Sequence, residues 1–175
     1  PLGPPTLLLY EKSLGWASWL TPVIAALLEK KSVTVVTSIS GCMDYLLPIS
    51  VLKKHVLHFK NDSVLDTEAL KKDLINMGFE YNAQAETPGQ FAMRGGIVDI
   101  FLLTEENPVR IEMWGDEIDS IRSFDAESQR SIENLDRIRI YPAGEFIADD
   151  GRIKKGLAVL EKEAKRLADQ FFQER

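Results

Sequence analysis

Polar and apolar residues alternate with a period of two along most of the chain between positions 87 and 124. This period is typical of strands that bury one face and expose the other. The segment Val109–Trp114 shows it clearly, with one side formed by Val109, Ile111 and Met113 and the other by Arg110, Glu112 and Trp114. We expect the first side to be core and the second to face solvent.

Other apolar patterns predict the remaining elements. The runs Thr6–Tyr10 and Val33–Thr37 are typical of buried strands, and Leu20–Lys30 between them has helical spacing. Strand, helix and strand in this order predict a βαβ unit with a parallel sheet. From about Lys53 the pattern changes to short strands around one helix, Asp66–Met77. The predicted strands are Val56–Phe59, Phe79–Tyr81, Phe91–Arg94, Ile97–Leu102, Val109–Trp114, Ile118–Phe124 and Arg137–Tyr141.

Two glycine-containing positions lie between predicted strands. Gly115–Asp116 has the length and composition of a two-residue hairpin loop, since glycine accepts positive φ at no steric cost. We interpret Gly95–Gly96 as a bulge or bend in the sheet rather than as an anion-binding loop, because no helix follows it. Many short strands joined by tight turns predict an antiparallel sheet.

The C-terminal part of the chain predicts one long amphipathic helix that begins at Asp149–Asp150. Its apolar stripe recurs at spacings of three and four and consists of Ile153, Gly156, Leu157, Leu160, Ala164, Leu167 and Phe171. A coiled-coil zipper is one interpretation of this stripe. We favour the other, in which the helix packs back onto the first α/β segment.

Composition limits the classes of function. The net charge of −6 argues against a general nucleic-acid-binding surface, which needs clustered Lys and Arg. No apolar run reaches the roughly 18–20 residues that span a membrane, and the sequence contains no signal peptide with a basic n-region, so we expect a cytoplasmic protein. The lone Cys42 predicts no disulfide. Because the first residues, Pro1–Pro5, include no Met, we interpret the chain as an excised fragment.

No catalytic or cofactor site is predicted. The chain has no GxxxxGK[ST] phosphate loop. His55 and His58 would point to opposite faces of a strand, so we expect no metal site. The carboxylates of the middle region are expected to be solvated side chains rather than catalytic pairs, and they are Asp99, Glu112, Asp116, Glu117, Asp119 and Asp125.

The candidate functional residues are Arg94, Arg110 and Trp114, which the alternation places on the non-core faces of strands that we expect to be neighbours. Two guanidinium groups around an indole offer bidentate hydrogen bonds and stacking to a partner. Exposed Trp beside Arg is typical of a binding hot spot. The alternatives are an ordinary surface ion pair for Arg94 and burial of Trp114 under another part of the chain.

The stretch PGQFAMRGGIVDIF, followed by PVRIEMWGDEIDSIRSFDAESQRSIENLDRIRIYPAGEF, closely resembles the N-terminal region of the bacterial transcription-repair coupling factors (Mfd). The same module occurs in the excision nuclease subunit UvrB. The resemblance runs from about Val33 to Phe146, and Lys12–Pro22 departs from it. At 128–131 the chain has SQRS, as in the coupling factors, where UvrB proteins tend to have DP-x-TG after the corresponding phenylalanine.

The resemblance implies that the antiparallel module binds UvrA, the damage-recognising ATPase. The contact residues of that family, two arginines and an aromatic residue, match Arg94, Arg110 and Trp114. The aromatic residue is often Phe in the family, and Trp114 keeps its stacking face. UvrB often has a further arginine where this chain has Ala92.

The resemblance also implies a domain organisation. Residues 53–142 correspond to the UvrA-interaction module, 1–52 to part of a degenerate RecA-like α/β domain that has lost nucleotide hydrolysis, and 143–175 to a return segment. The predicted fold is thus an antiparallel α+β module inserted in a partial α/β domain. Motor activity, RNA polymerase, double-stranded DNA and a masking C-terminal domain would belong to other parts of the parent protein.

The predicted function is non-catalytic recruitment of UvrA in transcription-coupled repair, with no cofactor. Three alternatives stay open at this point. The chain could be the corresponding region of UvrB, it could bind DNA directly, or its βαβ part could belong to a working ATPase.

Overall fold

The structure is a computed structural model that describes residues 6–10, 16–39, 43, 48–144, 147 and 150–173. The predictions made for Pro1–Pro5, for Cys42 and for Asp149 therefore lie outside the described residues, as do the first residues of Lys12–Pro22.

The first segment forms the predicted βαβ unit. Strand β1 (Thr6–Tyr10) pairs in parallel with β2 (Val33–Thr37), and helix α1 (Trp16–Leu28) connects them. The helix begins at Trp16 rather than at the predicted Leu20, so that Pro22 lies inside the helix and not in its first turn. The prediction took the first apolar residue of the helical spacing, Leu20, as the start and placed Pro22 in the first turn, where its missing N–H is tolerated, and it therefore started this helix too late.

A second segment leads into the sheet through the short helix α2 (Ile49–Leu52) and strand β3 (Leu57–Lys60). Helix α3 (Thr67–Asn76) follows, and Asp66 caps it as predicted, because its Oδ1 accepts hydrogen bonds from the N–H groups of Glu68 and Ala69, each at 3.0 Å.

A glycine ends this helix for two reasons. Gly78 has φ of +90°, and a Cβ atom there would lie 2.8 Å from the backbone nitrogen of Gly144. Both the left-handed conformation and the close approach of the two backbones exclude a side chain.

Six strands then form one sheet in chain order. They are β4 (Glu80–Tyr81), β5 (Gln90–Arg94), β6 (Ile97–Ile100), β7 (Val109–Trp114), β8 (Glu117–Phe124) and β9 (Ser131–Asn134). Neighbouring strands are antiparallel, as predicted, except that β4 and β5 are parallel. Strand β10 (Arg137–Ile140) pairs with β3 in a separate two-stranded sheet.

The turns correct one prediction and confirm another. Gly95–Gly96 is a two-residue hairpin turn between β5 and β6, because Arg94 pairs directly with Ile97, whereas we had predicted a bulge or bend in the sheet. Gly115–Asp116 is the predicted hairpin turn, and Gly115 has φ of +67°. Irregularities in register lie instead between Glu112 and Met113 and between Ser123 and Phe124.

The core lies on one face of the sheet, where α3 contributes Leu70 and Leu74. The other face carries the polar side of the alternation. Buried residues of the core include Phe91, Val98, Ile100, Val109, Ile111, Ile118, Ile121, Ile138 and Ile140. This sidedness is what the period of two predicts, and it leaves the opposite face for interactions.

Helix α4 (Asp150–Gln173) forms over the predicted region, but its surroundings differ from the prediction. Its described apolar side chains, including Leu157, Leu160 and Leu167, are exposed. These side chains are therefore not packed against the first α/β segment, as we had predicted they would be. Periodicity along a helix determines that an apolar stripe exists, but it does not determine which surface covers the stripe.

Glu29, just after α1, links the first segment to the end of the sheet module. Its Oε1 accepts hydrogen bonds from Arg139 Nη1 at 2.7 Å and from Tyr141 Oη at 2.8 Å, and Lys31 Nζ lies 2.6 Å from Oε2. The pKa of Glu29 is lowered to about 2, chiefly by the hydrogen bond from Lys31 and further by those from Tyr141 and Arg139, against an opposing effect of burial. Thr21 adds a hydrogen bond from its Oγ1 to the carbonyl of Pro142 at 3.0 Å.

We predict that Glu29 gives the fold an acid-sensitive contact. Because the pKa of Glu29 falls from 4.5 to about 2 on folding, the ionised side chain stabilises the fold above pH 4.5 and this stabilisation is lost as the pH falls towards 2. Glu29→Gln should therefore be less stable than wild type in urea unfolding at pH 6, with the difference shrinking at pH 3. An equal difference at both pH values would contradict the prediction.

Candidate protein-binding site

Two of the predicted residues converge on one carboxylate. Arg110 donates from Nε to Asp99 Oδ1 at 2.6 Å and from Nη2 to Oδ2 at 2.8 Å, and Arg94 Nη2 donates to the same Oδ2 at 3.0 Å. The strand register explains this, because Ala92, Asp99 and Arg110 lie directly opposite one another on β5, β6 and β7. The contact of Arg110 is bidentate, and both guanidinium groups lie on one face of the sheet.

The burial of Asp99 corrects a prediction. We expected a solvated carboxylate, but Asp99 is only 2% exposed. Its strand is central, the opposite residue Ala92 is too small to interfere, and two arginine side chains cover the carboxylate. A buried carboxylate requires paired charges and hydrogen bonds, and here both are present.

Arg110 is held on all sides by described residues. Its Nη2 also donates to Gln129 Oε1 at 2.8 Å, and its guanidinium lies over the ring of Phe124, 4.3 Å from the centroid. Gln129 itself has φ of +59° and donates from Nε2 to the carbonyl of Ala126 at 2.8 Å. The hydrogen bond to Asp99 raises the pKa of Arg110 above its ordinary value, and the side chain is only 13% exposed.

A second ion pair, between Arg122 and Glu112, offsets the repulsion between Arg122 and Arg110. Arg122 lies directly opposite Arg110 across β7 and β8, an arrangement that destabilises a sheet unless each cation has its own acid. Arg122 Nη2 donates to Glu112 Oε1, and Ser120 Oγ donates to Glu112 Oε2 at 3.0 Å. Together Arg94, Asp99, Arg110, Glu112 and Arg122 form what we call the arginine cluster, in which three guanidinium groups face two carboxylates.

Trp114 lies at the end of β7 and is 83% exposed. The N–H of Met113 donates to the carbonyl of Gly96 at 2.8 Å, which joins the end of β7 to the turn between β5 and β6. Arg94 is the last residue of β5 before this turn, so Trp114 and Arg94 lie at the same end of the sheet. The side chain of Arg94 is half exposed.

The structure therefore places all three predicted residues on the non-core side of the sheet, with the indole exposed rather than buried under another element. Sequence reasoning missed the burial of Asp99, the hydrogen bond that Arg110 donates to Gln129, and the third guanidinium group, that of Arg122. One signal was available for Asp99. A two-residue turn at Gly95–Gly96 fixes the register that puts Ala92 opposite Asp99.

The arrangement suits recognition of a surface rather than of a small molecule. A cavity of about 550 Å³ lies elsewhere, between α1 and the end of the module, and is lined by Pro22, Glu29, Leu102, Arg139 and Tyr141 among others, but by none of the three predicted site residues. Among the described residues, no three His, Cys, Asp or Glu side chains are grouped so that they could hold a metal ion. None of the described helices has the length and hydropathy needed to cross a bilayer.

Comparison with known proteins places this site in a family. The family described as UvrB interaction domain matches residues 57–146, which include all three predicted site residues and the whole arginine cluster. The transcription-repair-coupling factor of Bacillus subtilis is 40% identical over 125 residues, which are 71% of this chain and 11% of that protein.

Staphylococcal relatives with the same name match a similar share of this chain. That of Staphylococcus epidermidis is 35% identical over 127 residues, 73% of this chain and 11% of the relative. That of Staphylococcus aureus is 34% identical over 131 residues, 75% of this chain and 11% of the relative. The chain thus spans about a tenth of the length of these curated relatives.

We predict that the arginine cluster contributes to the stability of the fold. Arg110→Ala leaves the buried carboxylate of Asp99 with Arg94 alone and should lower the free energy of unfolding by about 3–5 kcal/mol. Adding Asp99→Asn removes the uncompensated charge, so the double variant should recover part of the loss in urea unfolding. If the double variant loses as much free energy of unfolding as Arg110→Ala and Asp99→Asn lose together, the ion pair between the two side chains is not the source of the stability.

Proposed function

Since the chain belongs to the UvrB interaction domain family, we propose that the outer face of its sheet binds UvrA and that the chain recruits UvrA as part of a transcription-repair coupling factor. The chain acts in this role as a protein-interaction module and not as an enzyme. Arg94, Arg110 and Trp114 are the proposed contact residues.

The exposed indole of Trp114 is the observation that carries this proposal. Trp114 is 83% exposed and lies at the end of a hairpin. The two strands of this hairpin contribute Ile111 and Ile118 to the core. Folding gains little from an indole in that position, whereas a partner that covers it gains a large apolar area at a low cost in side-chain entropy. Trp and Arg are also the residues most enriched in binding hot spots.

The three contact residues have different roles in the proposal. Arg94 uses one nitrogen to hold Asp99 and is half exposed, so its remaining donors are available to acidic groups or carbonyls of UvrA. Arg110 is mostly buried, and it acts at the base of the surface by fixing Asp99 and thereby the position of Arg94. A guanidinium that is already ordered loses less entropy on binding.

The wider setting is also part of the proposal. The coupling-factor relatives are about ten times longer than the matched segment, and we assign motor activity and contacts with RNA polymerase and double-stranded DNA to other parts of such a protein. A C-terminal domain of that protein would cover the outer face until UvrA is needed. The proposed compartment is the cytoplasm.

We predict that Trp114→Ala and Arg94→Ala each weaken the binding of purified UvrA by about 1–4 kcal/mol, the range for central hot-spot residues. Calorimetric titration of UvrA with each variant measures the dissociation constant. The stability of Trp114→Ala should stay within about 0.5 kcal/mol of wild type, because the indole is exposed.

Ile75→Ala is the matched control, since Ile75 is an exposed aliphatic residue of α3, the helix that packs on the core face of the sheet. It should bind UvrA like wild type. Wild-type affinity of Trp114→Ala would refute the proposed site, and equal weakening by Ile75→Ala would show that the measured loss is not specific to the outer face. Arg110→Ala is less informative alone, because it also changes stability.

A further inference from the structure

Val64 lies outside the named strands but is paired with the end of β8. It forms an isolated antiparallel bridge with Glu117. Two backbone hydrogen bonds hold the bridge, from Leu65 N to the carbonyl of Asp116 at 2.8 Å and from Ile118 N to the carbonyl of Ser63 at 2.9 Å. The position of Val64 is therefore fixed by backbone pairing and not by packing of its side chain.

This bridge puts Val64 on the same face as Trp114. Glu117 pairs with Trp114 on one side and with Val64 on the other, and residues directly opposite in antiparallel pairs point to the same face. The neighbours Leu65 and Ile118 are buried on the core side, which leaves Val64 on the outer face. The Cα atoms of Trp114 and Val64 are thus about 10 Å apart across the bridge.

Val64 is 68% exposed, although it is a β-branched aliphatic residue in an ordered bridge. A single exposed valine is ordinary on a protein surface. Here, however, it borders a largely exposed indole, and the partly exposed Ile97 lies opposite Glu112 in the adjacent row of the same face. Two exposed apolar side chains, those of Trp114 and Val64, therefore flank the exposed carboxylate of Glu117 on the same face.

We propose that the UvrA-docking surface extends from Trp114 across Glu117 to Val64, and that UvrA presents there an apolar patch bordered by a lysine or arginine that pairs with Glu117. This inference rests on the proposed function and adds a second anchor to it. At the Arg94 end the partner supplies acidic or carbonyl groups, so the two ends of the surface require opposite charges. Such an arrangement fixes the orientation of the partner.

The test measures the affinity of purified UvrA for five variants of this chain, three of them at Val64. Val64→Ala removes apolar area and should weaken binding roughly 5- to 15-fold. Val64→Thr keeps the β-branched shape and should weaken binding about 3- to 10-fold, which guards against a folding defect in the alanine variant. Trp114→Ala tests the proposed function itself, and Ile75→Ala is the control that should change affinity less than about twofold.

A third substitution separates apolar contact from stability. Val64→Lys places a cation opposite Glu117, which favours the bridge as a cross-strand ion pair but removes the apolar contact and competes for the carboxylate. It should fold normally by thermal unfolding and lose at least about tenfold in affinity.

The outcomes distinguish the two proposals. If Trp114→Ala weakens binding while all Val64 variants bind like Ile75→Ala, the extension to Val64 is overturned and the proposed function stands. If Trp114→Ala also binds like wild type, the proposed function fails with it. Weakening by the Val64 variants at unchanged melting temperature supports the extension.

Discussion

The outer face of this sheet depends on one buried carboxylate. Asp99 lies on a central strand, almost without exposure, and its charge is acceptable there only because Arg94 and Arg110 donate three hydrogen bonds to it. The bidentate geometry suits the planar guanidinium and would not be reproduced by lysine. These hydrogen bonds hold both guanidinium groups at the carboxylate in the absence of a partner.

This constraint explains why the proposed recognition and the stability of the fold depend on the same residues of the arginine cluster. Arg122 lies opposite Arg110, and the sheet tolerates the like charges because Asp99 and Glu112 each take one of them. Phe124, below the guanidinium of Arg110, adds a cation–π contact. The arginine cluster therefore contains one guanidinium group more than its two carboxylates neutralise.

The hairpin end differs from the cluster, because folding requires little from its side chains. Backbone hydrogen bonds hold the bridge between Val64 and Glu117, and neither the side chain of Val64 nor that of Trp114 is buried. Residues in such positions can change with little effect on stability, so their side chains are free to serve a partner. The proposed docking surface thus consists of the hydrogen-bonded arginine cluster and, beside it, the exposed apolar side chains at the end of the hairpin.

Local pattern in the sequence determined the elements and their sides. The alternation along Val109–Trp114 placed Trp114 outward, Asp66 marked the start of α3, and Gly115 marked a hairpin turn. Strand β9 escaped prediction because its exposed side chains have no alternation. The burial of Asp99, the exposure of the stripe on α4 and the place of Val64 were decided only by the tertiary structure. These three features depend on which distant segments pair and in which register. The periodicity of a single element indicates which of its faces is apolar, but it does not indicate which other elements lie beside it.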